Sequence, residues 1–307
     1  EIWNLIMTHL IATANYPLTP ASIRTQCCEA ITEIIVDVMN FVLSEYKQVD
    51  ENIQTRLLLA LNQCINYTPS TKEEETLFQE SSAINAKASN EVQKMALETL
   101  NNVLQTSGHS FTCGWGLIFD MLRHFAVSAI GSPIDVTYDE SDSEALEGRS
   151  SIDTIGSSIM TANAPTVTTN KAATSAGSIR IAFASLQLIC TDFLSLLSPD
   201  CLRQCIATLG SFGMQSDDLN ISLTAVGLLW NLSDFIQTRR MDLIKQETDN
   251  SWSESIDSEN LNIDLSLSDA DSESSKTYSI LWMLLLLQLS HTCTDWRPEV
   301  RNGANQT

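Results

Sequence analysis

Basic residues are scarce. The 307-residue chain has 17 Lys and Arg against 38 Asp and Glu, a formal charge of -21. Phosphate backbones are gripped by clustered Lys and Arg, so nucleic-acid binding as a main activity is excluded. The densest basic spot, "TRRMDLIK", is short and forms no stripe. Proline and glycine are also few, 7 and 11, and most fall between periodic segments. Little therefore interrupts helix formation. No C-x-x-C pair occurs among the eight cysteines, Cys27, Cys28, Cys64, Cys113, Cys190, Cys201, Cys205 and Cys293. Cys201 and Cys205 stand one helical turn apart, but no His lies near them in sequence to complete a zinc site. The cysteines read as buried free thiols of a reducing compartment. The strongly apolar run Ile280 to Leu289 is shorter than the roughly 20 residues that cross a bilayer, and it reads as a buried helix.

Catalytic signatures are missing too. There is no G-x-S-x-G, H-E-x-x-H, P-loop or dinucleotide fingerprint. His9, His109, His124 and His291 are far apart in sequence. "CGWGLIF" has two glycines around a Trp but no Lys or Ser/Thr to hold a phosphate, so it reads as a helix start with close packing. "DLSLSDADSESS" lacks the central Gly and closing Glu of a calcium loop. No catalytic residue, cofactor or metal ligand is assigned, and the expectation is a non-enzyme.

What is present is helical periodicity. Helices are expected over Ile2 to Ala14, Pro20 to Tyr46, Glu51 to Tyr67, Asn90 to Thr106 and Cys113 to Ile130. Further ones are expected over Ser178 to Leu197, Asp200 to Phe212, Asp218 to Arg240, Tyr278 to Thr292, and from Pro298 onward. "SPD" before Cys201 and "SDD" before Leu219 offer N-cap side chains, and Pro20 and Pro298 suit first turns. A shared pattern recurs: an aliphatic residue, a small one four on, an aliphatic one four further. Cases are Ile23-Cys27-Ile31, Val92-Ala96-Leu100, Ile181-Ser185-Ile189 and Ile221-Ala225-Leu229, with Val300-Ala304 beginning a fifth. A small central residue lets a neighbouring helix come close. The 40-residue spacing from 181 to 221 is that of HEAT or armadillo units; the wider spacings hold two units, or one unit plus an insertion. The expected fold is an all-α, HEAT/armadillo-like helical-repeat superhelix.

In such a stack an inner helix can be apolar nearly all round. "LNISLTAVGLLWNLSDFI", Leu219 to Ile236, carries one charge, Asp234, and fits that place. Gly227 then marks a helix crossing, and Trp230 and Trp282 belong to the core.

Two segments break the pattern. Residues 131–177 are rich in Ser, Thr, Ala and acids, and 245–276 carry nine acids and no base between Glu247 and Glu273. Both read as flexible acidic insertions. The organisation expected is thus helical repeats over 1–130, a linker over 131–177, repeats over 178–244, an insertion over 245–276 and a further repeat over 277–307. The first residue is not Met and "RPEVRNGANQT" stops within a helical pattern, so the chain reads as an internal piece of something longer. Trp252, with Ile256, Leu261, Ile263 and Leu265, forms one candidate docking element for a partner. In "CTDWRPEVRNGA", Asp295 is expected to accept from backbone N–H groups or an Arg, and Arg297 and Arg301 are the second candidate partner contacts.

Three stretches, "FASLQLICTDFLSLL", "GSFGMQSDDLNISLTAVGLLWNLSDFI" and "LLLLQLSHTCTDWRPEVRNGANQT", together resemble the Mon family, trafficking proteins of the Golgi and endosome named for monensin sensitivity. That family is similar to the large BIG-type Arf exchange factors without their catalytic exchange domain. The match is strongest over 178–307 outside the acidic insertion; "GWGLIFDML" and "IRTQCCEAITEII" fit less specifically. The resemblance implies a large cytosolic scaffold, peripheral on trans-Golgi and endosomal membranes. It implies a Dopey family protein and an Arf-like small GTPase as partners, and a link to a phospholipid flippase in endosome-to-Golgi recycling. It fixes no partner residue. Two rivals remain: a nucleotide-exchange regulator of Arf-like GTPases, and a karyopherin-like transport receptor.

Overall fold

A computed structural model describes residues 2–46, 51–67, 82–128, 169–254 and 267–306. Among them are ten α-helices and no strand. In chain order they are α1 (Ile2–Asn15), α2 (Ala21–Tyr46), α3 (Glu51–Ile65), α4 (Ser82–Ser107) and α5 (Trp115–Ser128). There follow α6 (Thr169–Leu188), α7 (Pro199–Met214), α8 (Leu219–Glu254), α9 (Leu267–Thr292) and α10 (Pro298–Gln306). Local chemistry sets several starts. Ser198 accepts from the Cys201 N–H at 3.3 Å ahead of α7, with Pro199 in the first turn. Asp218 accepts from the Asn220 N–H at 3.0 Å ahead of α8. Asp295 accepts from the Arg297 N–H at 2.8 Å ahead of α10. These side chains satisfy donors that a helix start leaves open.

The helices pair as consecutive hairpins: α1 with α2, α3 with α4, α5 with α6, α7 with α8, α9 with α10. Odd helices also pack on the odd helix before and after, and even helices do the same, most sparsely where α6 meets α8. The outcome is two layers built by stacking one unit on the next, as in helical repeats. One buried cluster runs through all ten helices, from Met7 to Ala304.

The small-residue pattern falls once in each hairpin, always on the even helix. Val92, Ala96 and Leu100 are buried on α4, and Ile221, Ala225 and Leu229 on α8. Ser185 and Ile189 are buried at α6, and Val300 and Ala304 on α10. The wide spacings therefore hold one hairpin plus inserted residues. On α2 the register differs from expectation: Ile23 is 44% exposed and Cys27 half-buried, while Arg24, Cys28, Ile31 and Ile35 are buried. Arg24 sets this register, because its Nε donates to the Ala14 carbonyl at 2.7 Å at the end of α1.

The string Leu219 to Ile236 is not enclosed on every side. Asn220, Thr224, Gly227, Asn231 and Asp234 form an exposed stripe. The wet face is written in small neutral polar residues rather than charges, which is why it escapes a charge-based reading. Trp230, expected in the core, is 55% exposed, whereas Trp282 packs on the core. No described helix crosses at Gly227; a Cβ there would meet nothing within 4 Å among the described residues. The run Ile280 to Leu289 is buried on one side only. Leu281, Leu285 and Leu289 face inward, and Ile280, Met283, Leu286 and Leu287 are exposed. α9 has α7 on one flank and α8 and α10 behind it, and no described helix on the other flank.

Two segments, Gly177–Leu196 and Leu219–Asp242, are long and apolar enough to cross a membrane by length and composition. Both are built into the stack, with one face of each packed in the shared core, and core helices pass the same test. The expected insertions are narrower than their sequence suggests. α6 begins at Thr169, α8 continues to Glu254 and α9 begins at Leu267. Neither Pro nor Gly occurs between Gly227 and Pro298, so nothing in the chain stops either helix earlier. The rest of those segments, 131–168 and 255–266, lies outside the described residues.

Candidate interaction surface

The best organised polar centre joins the turn between α7 and α8 to the turn between α9 and α10. Gln215 follows α7 and is buried. Its Oε1 accepts from the Asp217 and Asp218 N–H groups at 2.8 and 2.9 Å, and its Nε2 donates to the Asp218 carbonyl and Ser222 Oγ at 2.6 and 2.8 Å. Arg297 reaches this turn from the next hairpin. Its Nη1 donates to the Gln215 carbonyl at 2.6 Å and Ser222 Oγ at 3.1 Å, and its Nη2 to the Gly213 carbonyl at 3.0 Å. Nε and Nη2 also donate to the Asp295 carboxylate at 3.0 and 2.9 Å. All of the guanidinium nitrogens are thus engaged inside the fold, around a nearly buried ion pair. Burial pushes the Asp295 carboxyl up, but hydrogen bonds from Arg297 and the charges of Arg297 and Arg301 outweigh it and hold the group below the usual carboxylate range.

Arg297, one of the candidate partner contacts, is thus buried as a clasp between hairpins, and Asp295 accepts from a backbone N–H and an Arg as expected for this turn. The fork geometry of Arg297 suits it to a carboxylate and two turn carbonyls at once. Arg301 is half-buried and donates to the Asp295 carbonyl at 3.3 Å. Trp252 falls near the end of α8, and Ile256, Leu261, Ile263 and Leu265 lie outside the described residues. Leu219 to Trp252 spans about 50 Å at 1.5 Å per residue. Trp252 is thus far along α8 from the turn that Arg297 holds.

A second clasp of the same kind was not singled out in the sequence. Gln54 of α3 is buried; its Oε1 accepts from the Thr112 and Cys113 N–H groups at 3.0 and 3.2 Å, and its Nε2 donates to the Ser110 carbonyl at 3.2 Å. It pins the link from α4 to α5 onto the preceding unit. That link holds Gly114 at φ 80, next to Leu58, and Gly108 under the Phe193 ring. Gly116 faces Gln204 of α7. "CGWGLIF" is indeed a helix start with close packing. Cys28, Cys64, Cys190 and Cys205 are buried and the other four half-buried, all as free thiols. Cys190 and Cys205 lie Sγ to Sγ at 3.7 Å, and Cys28 neighbours Cys64. The partner thiol and burial push the Cys64 and Cys205 thiols well up, so both stay protonated. No group of three metal-ligating side chains occurs among the described residues.

The even layer presents an outer face rich in carboxamides. Asn102 and Gln105 on α4, Gln187 at the end of α6, Asn220 and Asn231 on α8, and Asn302 and Asn305 on α10 are all exposed. Between α4 and α6 this face dips into a groove of about 450 Å³ lined by Glu98, Asn101, Asn102, Gln105, Arg180, Ile181 and Ala184.

Stacked helical hairpins, turns clasped across units and a carboxamide face together define an all-α helical-repeat protein. Comparison with known proteins carries this further. Residues 191–307 match the model of a family described as the C-terminal region of Mon2 protein. A Mon2 homologue of Xenopus laevis is 28% identical over 306 residues, and Mon2 of Saccharomyces cerevisiae 26% identical over 314, each across 100% of this chain. A Mon2 homologue of Drosophila melanogaster is 40% identical over 129 residues, 42% of this chain. Over 191–307 the chain thus matches the Mon2 C-terminal family, and over its whole length it is similar to Mon2 proteins. It spans 14% of the length of the frog relative and 18% of the yeast one. No solved structure matches it.

Proposed function

We propose that this chain is part of a non-catalytic scaffold acting in membrane trafficking between endosomes and the trans-Golgi network. It works through protein–protein contacts on its stacked helices. In this reading it belongs to a protein held peripherally on those membranes, and its partners are a Dopey family protein and an Arf-like small GTPase, with a link to a phospholipid flippase. The observation that carries the reading is the two-layer stack in a chain similar to Mon2 proteins. A stack of this kind offers much surface for its mass and needs no enclosed pocket to act. Two assays test it. In the first, purified chain is mixed with Arf-like GTPases carrying a fluorescent nucleotide. Release at the uncatalysed rate is expected, and robust acceleration would replace the scaffold with an exchange regulator. In the second, the chain is used to pull down a purified Dopey family protein, with and without residues 255–266. Capture that vanishes on deletion assigns docking to that segment, undiminished capture assigns it to the helical body, and no capture in either case removes this partner. Capture by an importin-type cargo that responds to Ran-GTP would favour a karyopherin-like receptor instead.

A further inference from the structure

The groove between α4 and α6 lies in the middle of the stack, with α2 on one side and α8 on the other, so neighbouring units flank it both ways. Its chemistry is specific. On α4, Asn101 and Gln105 stand four residues apart, which places them about 6 Å apart along the axis. Two residues of an extended chain cover about 6.6 Å. A carboxamide both donates and accepts, which matches the N–H and C=O pair that an extended backbone presents at every second residue. Asn101 is held in place, since its Nδ2 donates to Ser185 Oγ at 3.0 Å and that hydroxyl donates to the Ile181 carbonyl at 3.1 Å. The side chains of Asn102 and Gln105 make no hydrogen bond among the described residues. Opposite them stands Ala184, small and exposed, which lets a backbone come close to α6.

The charges at this site are already answered. Arg180 pairs with Asp218 at 2.9 Å, and Glu98 with Lys94 at 3.7 Å. Among the described residues that line the groove, an anionic headgroup, a phosphate or a polyacidic tail finds no cation without a carboxylate partner. We infer that this groove binds an extended, largely uncharged polypeptide segment of a partner protein, gripped through its main chain by Asn101, Asn102 and Gln105 and seated over Ala184. The inference rests on the scaffold reading and gives it a place and a ligand class.

The test uses a phage-displayed library of random 12-residue peptides selected against the 307-residue chain. Two variants are measured beside the wild type: Ala184→Trp, which fills the groove, and the double variant Asn102→Ala, Gln105→Ala. All three altered positions are exposed, and circular dichroism checks that both variants keep their helices. Enriched peptides are expected to lose at least tenfold in affinity for each variant, and to lose binding when alternate backbone nitrogens are methylated. The inference is overturned if no sequence is enriched, if binding is indifferent to both variants, or if it survives N-methylation and instead depends on peptide charge. A Dopey-type partner that still binds Ala184→Trp would sink the groove and leave the scaffold reading standing. A chain that captures neither peptide nor partner would sink both.

Discussion

Arg297 shows how far one side chain carries the join between units. Replacing it by Met leaves the Asp295 carboxylate nearly buried without its partner and the Gly213 carbonyl without that donor, while the Gln215 carbonyl keeps the Ser222 hydroxyl. Breaking one side of such a pair costs about 3–5 kcal/mol. Urea unfolding of Arg297→Met should show that loss, and adding Asp295→Asn should recover part of it, because the stranded charge is gone. The same pair sets a pH dependence. The folded Asp295 carboxyl sits below its ordinary value of about 3.9. Its contribution is therefore complete above that value and is lost as pH falls through the lower, folded one. The acid limb of stability against pH should flatten in Asp295→Asn. Glycines divide by what surrounds them. Gly227→Ala should stabilise by about 1 kcal/mol, since the site is helical and open. Gly108→Ala should destabilise by about 1–3 kcal/mol, since its Cβ would run into the buried Phe193 ring. Thermal melts of both variants decide. None of these differences was readable from residue type, because they depend on which neighbour arrives from another unit.

At the scale of the element, the even helices are defined by small residues on the buried line. Ala225→Leu on α8 forces extra volume into a site with no exposure and should cost about 1–3 kcal/mol. Cys27→Leu on α2 should cost little, because Cys27 lies off the buried line there. Equal penalties at the two positions would reject the register seen in α2. Periodicity gave the presence of every described helix and most of their starts, since caps and prolines act within a turn or two. It placed the ends of α6, α8 and α9 less well. Charge and Ser content made 169–177, 245–254 and 267–276 read as flexible, yet a helix continues until something breaks it, and these stretches hold one Gly and no Pro. Periodicity also misjudged which faces are covered. Trp230 and the outer face of α9 are apolar, and composition does not say whether another element lies over them.

At the scale of the molecule, the repeat was legible as a recurring pattern but not as a fixed spacing, because the hairpins carry inserted residues of different lengths. The clasping residues Gln54 and Gln215 had no sequence signal of their own; a Gln beside a turn looks the same whether it is buried or solvated. The carboxamide groove was illegible for a related reason, since it takes two helices about 80 residues apart to form it. What the structure adds is order along one direction: each unit leans on the one before and the one after. Stability in such an array is close to a sum of unit and interface terms, so interior units hold longest.

Amide hydrogen exchange of the intact chain, read by mass spectrometry, measures that order directly. Stacking predicts the slowest exchange in the interior helices α4, α5, α7 and the first half of α8, and the fastest in α1 and α10. Uniform protection across all ten helices, or the strongest protection in α1 and α10, would contradict it.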